Sequence, residues 1–166
     1  MTKKLALRIF FWSITIGVMI VVFLNSAKNA TQSSELSVSF TEQLFSVFIP
    51  DYEAMDEASR LSLVTEMQFL IRKSAHFLSY FAMSLFCILA FNTYDLSLKS
   101  KFLFSSATCI AFSVSDEIHQ LFVPGRSGEI RDVLIDTAGI LLAALIVSVI
   151  IYLRKLRKEK KNEKGF

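Results

Sequence analysis

Two short stretches bring histidines, carboxylates and cations together in an otherwise apolar chain. The first is Asp116-Glu117-Ile118-His119-Gln120-Leu121-Phe122-Val123-Pro124-Gly125-Arg126-Ser127-Gly128-Glu129-Ile130-Arg131-Asp132. The second is Arg72-Lys73-Ser74-Ala75-His76, and the two stretches hold both histidines of the chain. On a helix, residues three or four apart share a face. Arg72 then shares a face with His76, as do Lys73, His76 and Tyr80. Asp116, His119 and Gln120 form a second such set, with Glu117 turned partly aside. Asp132 and Asp136 form a third, and Gly139 follows on a similar face.

These residue types allow several chemistries. Arginine and lysine hold phosphate or pyrophosphate, and Arg126 is the best bidentate donor. Arg72, Lys73, Tyr80, Gln120, Arg126, Asp132 and Asp136 are therefore the substrate-binding candidates. His76 and His119 titrate near neutral pH and suit general acid–base work, with Asp116 and Glu117 as their carboxylate partners. These four are the catalytic candidates. Asp116, His119, Asp132 and Asp136 could also hold a divalent metal, although their spacing lacks a His-Glu-x-x-His type of signature. No other cofactor is indicated. Each residue has a plainer use as well. Asp116 could pair with Arg126 or Lys73 simply to make a polar helix end tolerable in lipid. Asp136 could bond a neighbouring helix, and Glu129 and Arg131 read as solvated rim charges.

The elements that must position these groups are membrane helices. Hydrophobic residues make up 53% of the 166 and charged residues 20%, with 16 Phe. Runs of about 20 apolar residues without an alternating polar face read as transmembrane spans rather than as amphipathic helices of a soluble core. The expected fold is all-α, a bundle of four transmembrane helices. The spans fall at about 5–24, 74–93, 102–123 and 133–153, with one or two interfacial helices in the first extracytoplasmic loop. The first span could be a signal peptide, but its apolar run is long for one and no small-x-small site follows. Arg8 near its start can snorkel toward the headgroups.

Residues 25–34 read as polar and turn-like. Leu36, Phe40, Leu44, Val47 and Phe48 have the spacing of a short helix lying on the membrane, which Pro50 ends. A helical pattern resumes over 53–71. The charge-free part of the third span stops at Ser115, about two-thirds of the length a crossing needs. The helix must therefore continue through Asp116–Gln120. Pro124 fixes φ and the following glycines permit positive φ, so 124–128 is a turn.

Charge sets the orientation. Lys3, Lys4 and Arg8 start the chain, and residues 154–164 carry seven basic side chains against two acidic ones. Both ends suit the cytoplasmic face, and 154–166 is a basic cytoplasmic tail after a transmembrane domain at 1–153. The first and third loops, and both polar stretches, then lie at the extracytoplasmic face. Basic ends without a folded basic domain argue against nucleic acid as a partner. Membrane lipids are the expected partner. Cys87 and Cys109 lie in apolar runs without metal-ligand spacing and read as packing residues.

At these residues the chain resembles the VanZ-like family of bacterial membrane proteins. The similarity rests on Arg72-Lys73-Ser74-Ala75-His76-Phe77 with Tyr80, on Asp116 through Arg126, and on Asp132-Val133 leading to Asp136 and Gly139. It extends over roughly residues 10–150. Ser79 stands where the family often has an acidic residue, Asp136 where an Asn is often found, and Ala143 where a Gly is frequent. The resemblance implies a small multi-span protein of the bacterial cytoplasmic membrane and marks Lys73, His76, Asp116, Glu117, His119, Gln120, Arg126 and Asp132 as motif positions. It also implies lowered sensitivity to teicoplanin-type lipoglycopeptides. A lipid-linked cell-wall precursor or the lipoglycopeptide itself is then the expected ligand. The rival readings are a non-catalytic lipid binder and a structural or partner-binding membrane protein. The residues alone leave open whether the protein is an enzyme, and its oligomeric state.

Overall fold

The structure is a computed structural model that describes residues 2–163. Its order is α1 (Lys3–Ser26), α2 (Ala30–Phe48), a single 3-10 turn (Tyr52–Ala54), α3 (Glu57–Phe91), α4 (Leu98–Gln120) and α5 (Ile130–Glu163). The described residues form no strand. Among them, three helices are long and apolar enough to cross a membrane: Lys3–Ser26, Glu57–Phe91 and Ile130–Asn162. Their outer faces are apolar, as lipid contact requires: Ile9, Phe10, Ile16 and Ile20 on α1, and Leu145, Ile146, Val149 and Ile150 on α5 are exposed. The protein is a membrane protein on this pattern.

α3 packs centrally. It touches α1, α2, α4 and α5, and α5 also packs on α4. The apolar core between them holds Val22, Met83, Cys87, Cys109 and Ile140. Ile88, Ala144 and Val147 form a second layer toward the other end. Cys87 and Cys109 are buried free thiols, which agrees with a packing role.

Local sequence explains the helix boundaries. α2 starts earlier than the turn-like composition of 25–34 suggests. Asn29 caps it, accepting from the Gln32 backbone, while the Gln32 side chain accepts from the Asn29 backbone. This reciprocal pair satisfies two of the orphan donors at a helix start. The helix ends at Phe48, ahead of Pro50, and Asp51 turns the chain in a left-handed conformation at φ 58°. Asp56 then caps α3 through the Ser59 backbone N–H. From Glu57 to Phe91 there is neither Pro nor Gly to break the ladder. The helical pattern of the first loop and the apolar segment at 74–93 are therefore one continuous helix of 35 residues. Likewise α5 runs without interruption from the membrane segment into the basic tail, of which residues 164–166 lie outside the described ones.

One end of the bundle is pinned by polar ties. Arg8 does not simply reach for headgroups. Its guanidinium lies 3.9 Å from the Tyr94 ring centroid and donates to Thr93 Oγ1 and to the Thr93 carbonyl, both at 3.2 Å. Trp12 Nε1 donates to the Tyr94 hydroxyl. These contacts hold the start of α1 against the α3–α4 connection. The opposite end of α1 is then placed beside the polar residues of α3, α4 and α5.

Candidate functional site

The site is assembled at the end of the bundle where α1 and α4 finish and α5 begins. Five helices and one turn contribute. The turn is set by Pro124 and by Gly125 at φ 74°, and its Pro124 carbonyl accepts from the Ala30 backbone, which ties α2 to it. Gly128 passes so close to α4 that an added Cβ would sit 2.5 Å from the Glu117 carbonyl oxygen. That approach lets the Glu129 backbone N–H donate to Glu117 Oε2 at 2.9 Å. α5 then starts directly beneath.

Two adjoining cavities open here. One, of about 200 Å³, is lined by Asn25, Ser26 and Lys28 from the end of α1 and the turn that follows it, Ser33 from α2, and Arg72, His76 and Tyr80 from α3, with Arg126. The other, of about 100 Å³, is lined by Gln120, Glu129 and Asp132. Arg72, His76 and Arg126 line both. The two stretches read from the sequence as one face of the membrane thus meet in space.

The two arginines are electrostatically unusual. Among the described residues neither Arg72 nor Arg126 forms an ion pair with a carboxylate. Arg126 donates through Nη1 to Ser33 Oγ at 2.7 Å, and its Nε is buried without a partner. Burial, and then the adjacent Arg72 charge, push the Arg126 guanidinium below its ordinary value. Arginine does not lose its proton in proteins; the Glu117, Asp116 and Asp132 charges offset part of the strain on Arg126, and a bound anion would offset more.

The carboxylates share a small set of donors. Asp116, buried, accepts from Ser26 Oγ of α1 at 2.6 Å and from Gln120 Nε2 at 3.3 Å. Gln120 also reaches Glu117 Oε1 at 3.2 Å. Lys73 is buried and engaged by Asp132 and, at 3.4 Å, by Glu129. Asp136 is fully buried and accepts from Ser113 Oγ at 2.8 Å through one oxygen, while its other oxygen, Oδ1, has no hydrogen-bond partner. His76 Nδ1 lies 3.6 Å from that Oδ1, too far for a hydrogen bond. Ligand atoms of His76, Glu117 and Asp136 all fall within 4.8 Å of one another. Tyr80 closes the wall, its buried hydroxyl unpartnered.

Not every sequence candidate joins this group. His119 leaves it: its ring packs on Phe23 of α1 with centroids 4.7 Å apart, and it lines neither cavity. The four residues offered as metal ligands from sequence do not cluster as such; of them only Asp136 belongs to the trio that does. Lys73 faces Asp132 and Glu129 rather than open space. Glu129, read as a solvated rim charge, is instead half of that ion-pair set. The sequence reasoning missed Ser26, Ser33 and Ser113. Ser113 was within reach, since Ser113, Asp116, Glu117 and Gln120 form a polar stripe at helical spacing. Ser26 and Ser33 carry no such signal, because their role depends on how α1 and α2 pack.

The VanZ/LLP1 family profile matches residues 11–152. Neither a curated protein nor a solved structure shows significant similarity to the chain. The match covers most of the chain, every transmembrane segment core and every site residue above. The chain belongs to the VanZ/LLP1 family.

Proposed function

We propose that this VanZ/LLP1 family member is a four-span protein of the bacterial cytoplasmic membrane that binds, at the outer leaflet, the anionic headgroup of a lipid-linked envelope molecule. The observation that carries this reading is the pair Arg72 and Arg126. Two guanidinium groups share the wall of one cavity, and neither meets a carboxylate among the described residues. Guanidinium groups without an ion-pair partner beside lipid are costly, and a phosphate or pyrophosphate offers them bidentate geometry. The cavity also mixes apolar side chains, Val21, Val22 and Leu36, with its polar ones. A headgroup still attached to its lipid chain fits that mixture. Leu121, Phe122 and Ile130, all strongly exposed, flank the turn and suit contact with acyl chains.

Four crossings follow from α4. At 23 residues it is about 34 Å long, enough to span. Its serines and threonine (Ser105, Ser106, Thr108, Ser113 and Ser115) make it less apolar than the other three. With α4 counted, the basic ends lie on one side, and the positive-inside preference puts them in the cytoplasm. The cavity then faces outward, where lipid-linked cell-wall precursors are used. Occupying or masking such a headgroup would lower the sensitivity of the cell to teicoplanin-type lipoglycopeptides.

The test uses the full chain in lipid nanodiscs with a fluorescent polyprenyl diphosphate lipid as probe. A charge-assisted hydrogen bond is worth about 1.5–3 kcal/mol, so Arg72→Gln and Arg126→Gln should each weaken binding about 10- to 150-fold while leaving the melting temperature in place. Native-level binding by the Arg72→Gln/Arg126→Gln double variant would sink the proposal.

A further inference from the structure

We propose that His76, Glu117 and Asp136 form a divalent-cation site beside the cavities, which His76 lines. Three observations carry it. First, the ligand atoms of these residues, one from each of α3, α4 and α5, lie within 4.8 Å of one another. Two ligands of one ion sit about 3–4 Å apart when each is about 2.1 Å from it. The trio therefore needs only about an ångström of side-chain adjustment. Second, Asp136 is fully buried, and its Oδ1 points into the trio without a partner while Ser113 holds Oδ2. A buried carboxylate oxygen left unpaired in a low-dielectric interior is costly, and a cation is the group that satisfies it. Third, the fixed charges do not balance. Asp116, Glu117, Glu129, Asp132 and Asp136 are five carboxylates against four cations, Lys28, Arg72, Lys73 and Arg126.

The supports around the trio are those a metal site uses. Ser113 orients Asp136, and Glu117 is oriented by Gln120 Nε2 and the Glu129 backbone N–H. Imidazole with two carboxylates favours an ion such as Mn²⁺ or Zn²⁺. The inference deepens the headgroup reading and rests on it for its consequence. His76 lines both cavities together with Arg72 and Arg126. A cation at the trio would offset the carboxylates beneath a phosphate held by the arginines, and would bind its remaining oxygens. The cation site itself stands on its own residues.

Mn²⁺ is the probe. The full chain in nanodiscs is stripped with chelator, titrated with Mn²⁺, and followed by electron paramagnetic resonance and by thermal unfolding. One tightly bound Mn²⁺ per chain and a raised melting temperature are expected. Asp136→Asn, which can still accept from Ser113, and His76→Gln should each weaken Mn²⁺ binding at least tenfold and abolish the Mn²⁺-induced rise. Melting in chelator shows that each variant folds, and Glu117→Gln serves where one of them does not. Arg126→Gln, which loses the lipid probe, should keep Mn²⁺, so failure of the headgroup reading and failure of the cation site are separately visible. No stoichiometric Mn²⁺ in the native chain, or equal affinity in the ligand variants, overturns the proposal.

Discussion

Gly139→Ala tests the crossing on which the site depends. α5 passes α3 at this residue so closely that an added Cβ would lie 2.5 Å from the Phe77 carbonyl oxygen and 3.3 Å from the Phe81 backbone nitrogen. Both atoms are backbone, so neither can swing aside. Ordinary contact begins near 3.4 Å, and the helices must part by roughly 0.9 Å to admit the methyl group. Two effects then compete. Alanine is the better helix former, worth about 0.5–1 kcal/mol. Overpacking a tight contact costs about 1–3 kcal/mol. The steric cost is the larger, and a net destabilisation of about 1–2 kcal/mol is expected. The local consequence matters more for function. Phe77 adjoins His76, and Gly139 lies on the same face of α5 as Asp136, one turn away. Parting the helices there lengthens the 3.6 Å separation of His76 Nδ1 and Asp136 Oδ1 by a comparable amount. Thermal unfolding of the purified protein in detergent measures the first effect, and Mn²⁺ affinity the second. Ala138→Ser, on the exposed side of the same turn, is the control. A Gly139→Ala protein that melts at or above the native temperature would refute the close crossing.

Two further outcomes follow from the same geometry. Lys73→Met leaves Asp132, 7% exposed, without its cation, and breaking a buried pair costs about 3–5 kcal/mol; Lys73→Met/Asp132→Leu should recover much of that loss, and an additive double variant in unfolding experiments would count against the pair. His119→Gln should leave lipid-probe binding at the native level, because its ring packs on Phe23 outside both cavities, and a loss as large as that of Arg126→Gln would restore His119 to the site.

What could be read from the sequence was set by range. The apolar runs of α1 and α5 are local facts of composition, and so is the turn at Pro124 and Gly125. The meeting of Arg72 and His76 with Arg126 followed from counting helices and placing loops. The continuity of α3 was harder to see, because its first half carries Glu57, Arg60 and Glu66 while its second half is apolar. Hydropathy divides such a helix where the backbone does not. Partner choice was hidden for a different reason. Lys73, His76 and Tyr80 share a stripe, yet Lys73 finds Asp132 and Glu129 while His76 faces Asp136. Which acid meets which base depends on the rotation of α5 about its axis, and the close approach of Gly139 to Phe77 is one of the contacts that fix it. Likewise His119 stands three residues from Asp116, as His76 stands three from Lys73, but its ring packs on Phe23 of α1.

A purely structural role accounts for part of the polar cluster and fails on the rest. Asp116 is tied to α1 by Ser26, Asp132 to α3 by Lys73, and Glu117 to the turn by the Glu129 backbone. Each of these links two segments through a hydrogen bond or ion pair, as helix-to-helix ties in lipid do. Arg72, Arg126 and Asp136 do not follow that pattern. Arg72 and Arg126 make no ion pair among the described residues, and Asp136 Oδ1, unpartnered as Asp116 Oδ1 also is, lies 3.6 Å from His76 Nδ1. If these three served to join helices, replacing them with Gln or Asn would cost stability even without added ligand. Arg72 and Arg126 line both cavities, and Asp136 adjoins them through His76, 3.6 Å away. Unpaired cations over an unpaired carboxylate are what a site for an anion and a cation together needs, and the stability of Arg126→Gln and Asp136→Asn without added ligand, compared with their binding, separates that purpose from structure.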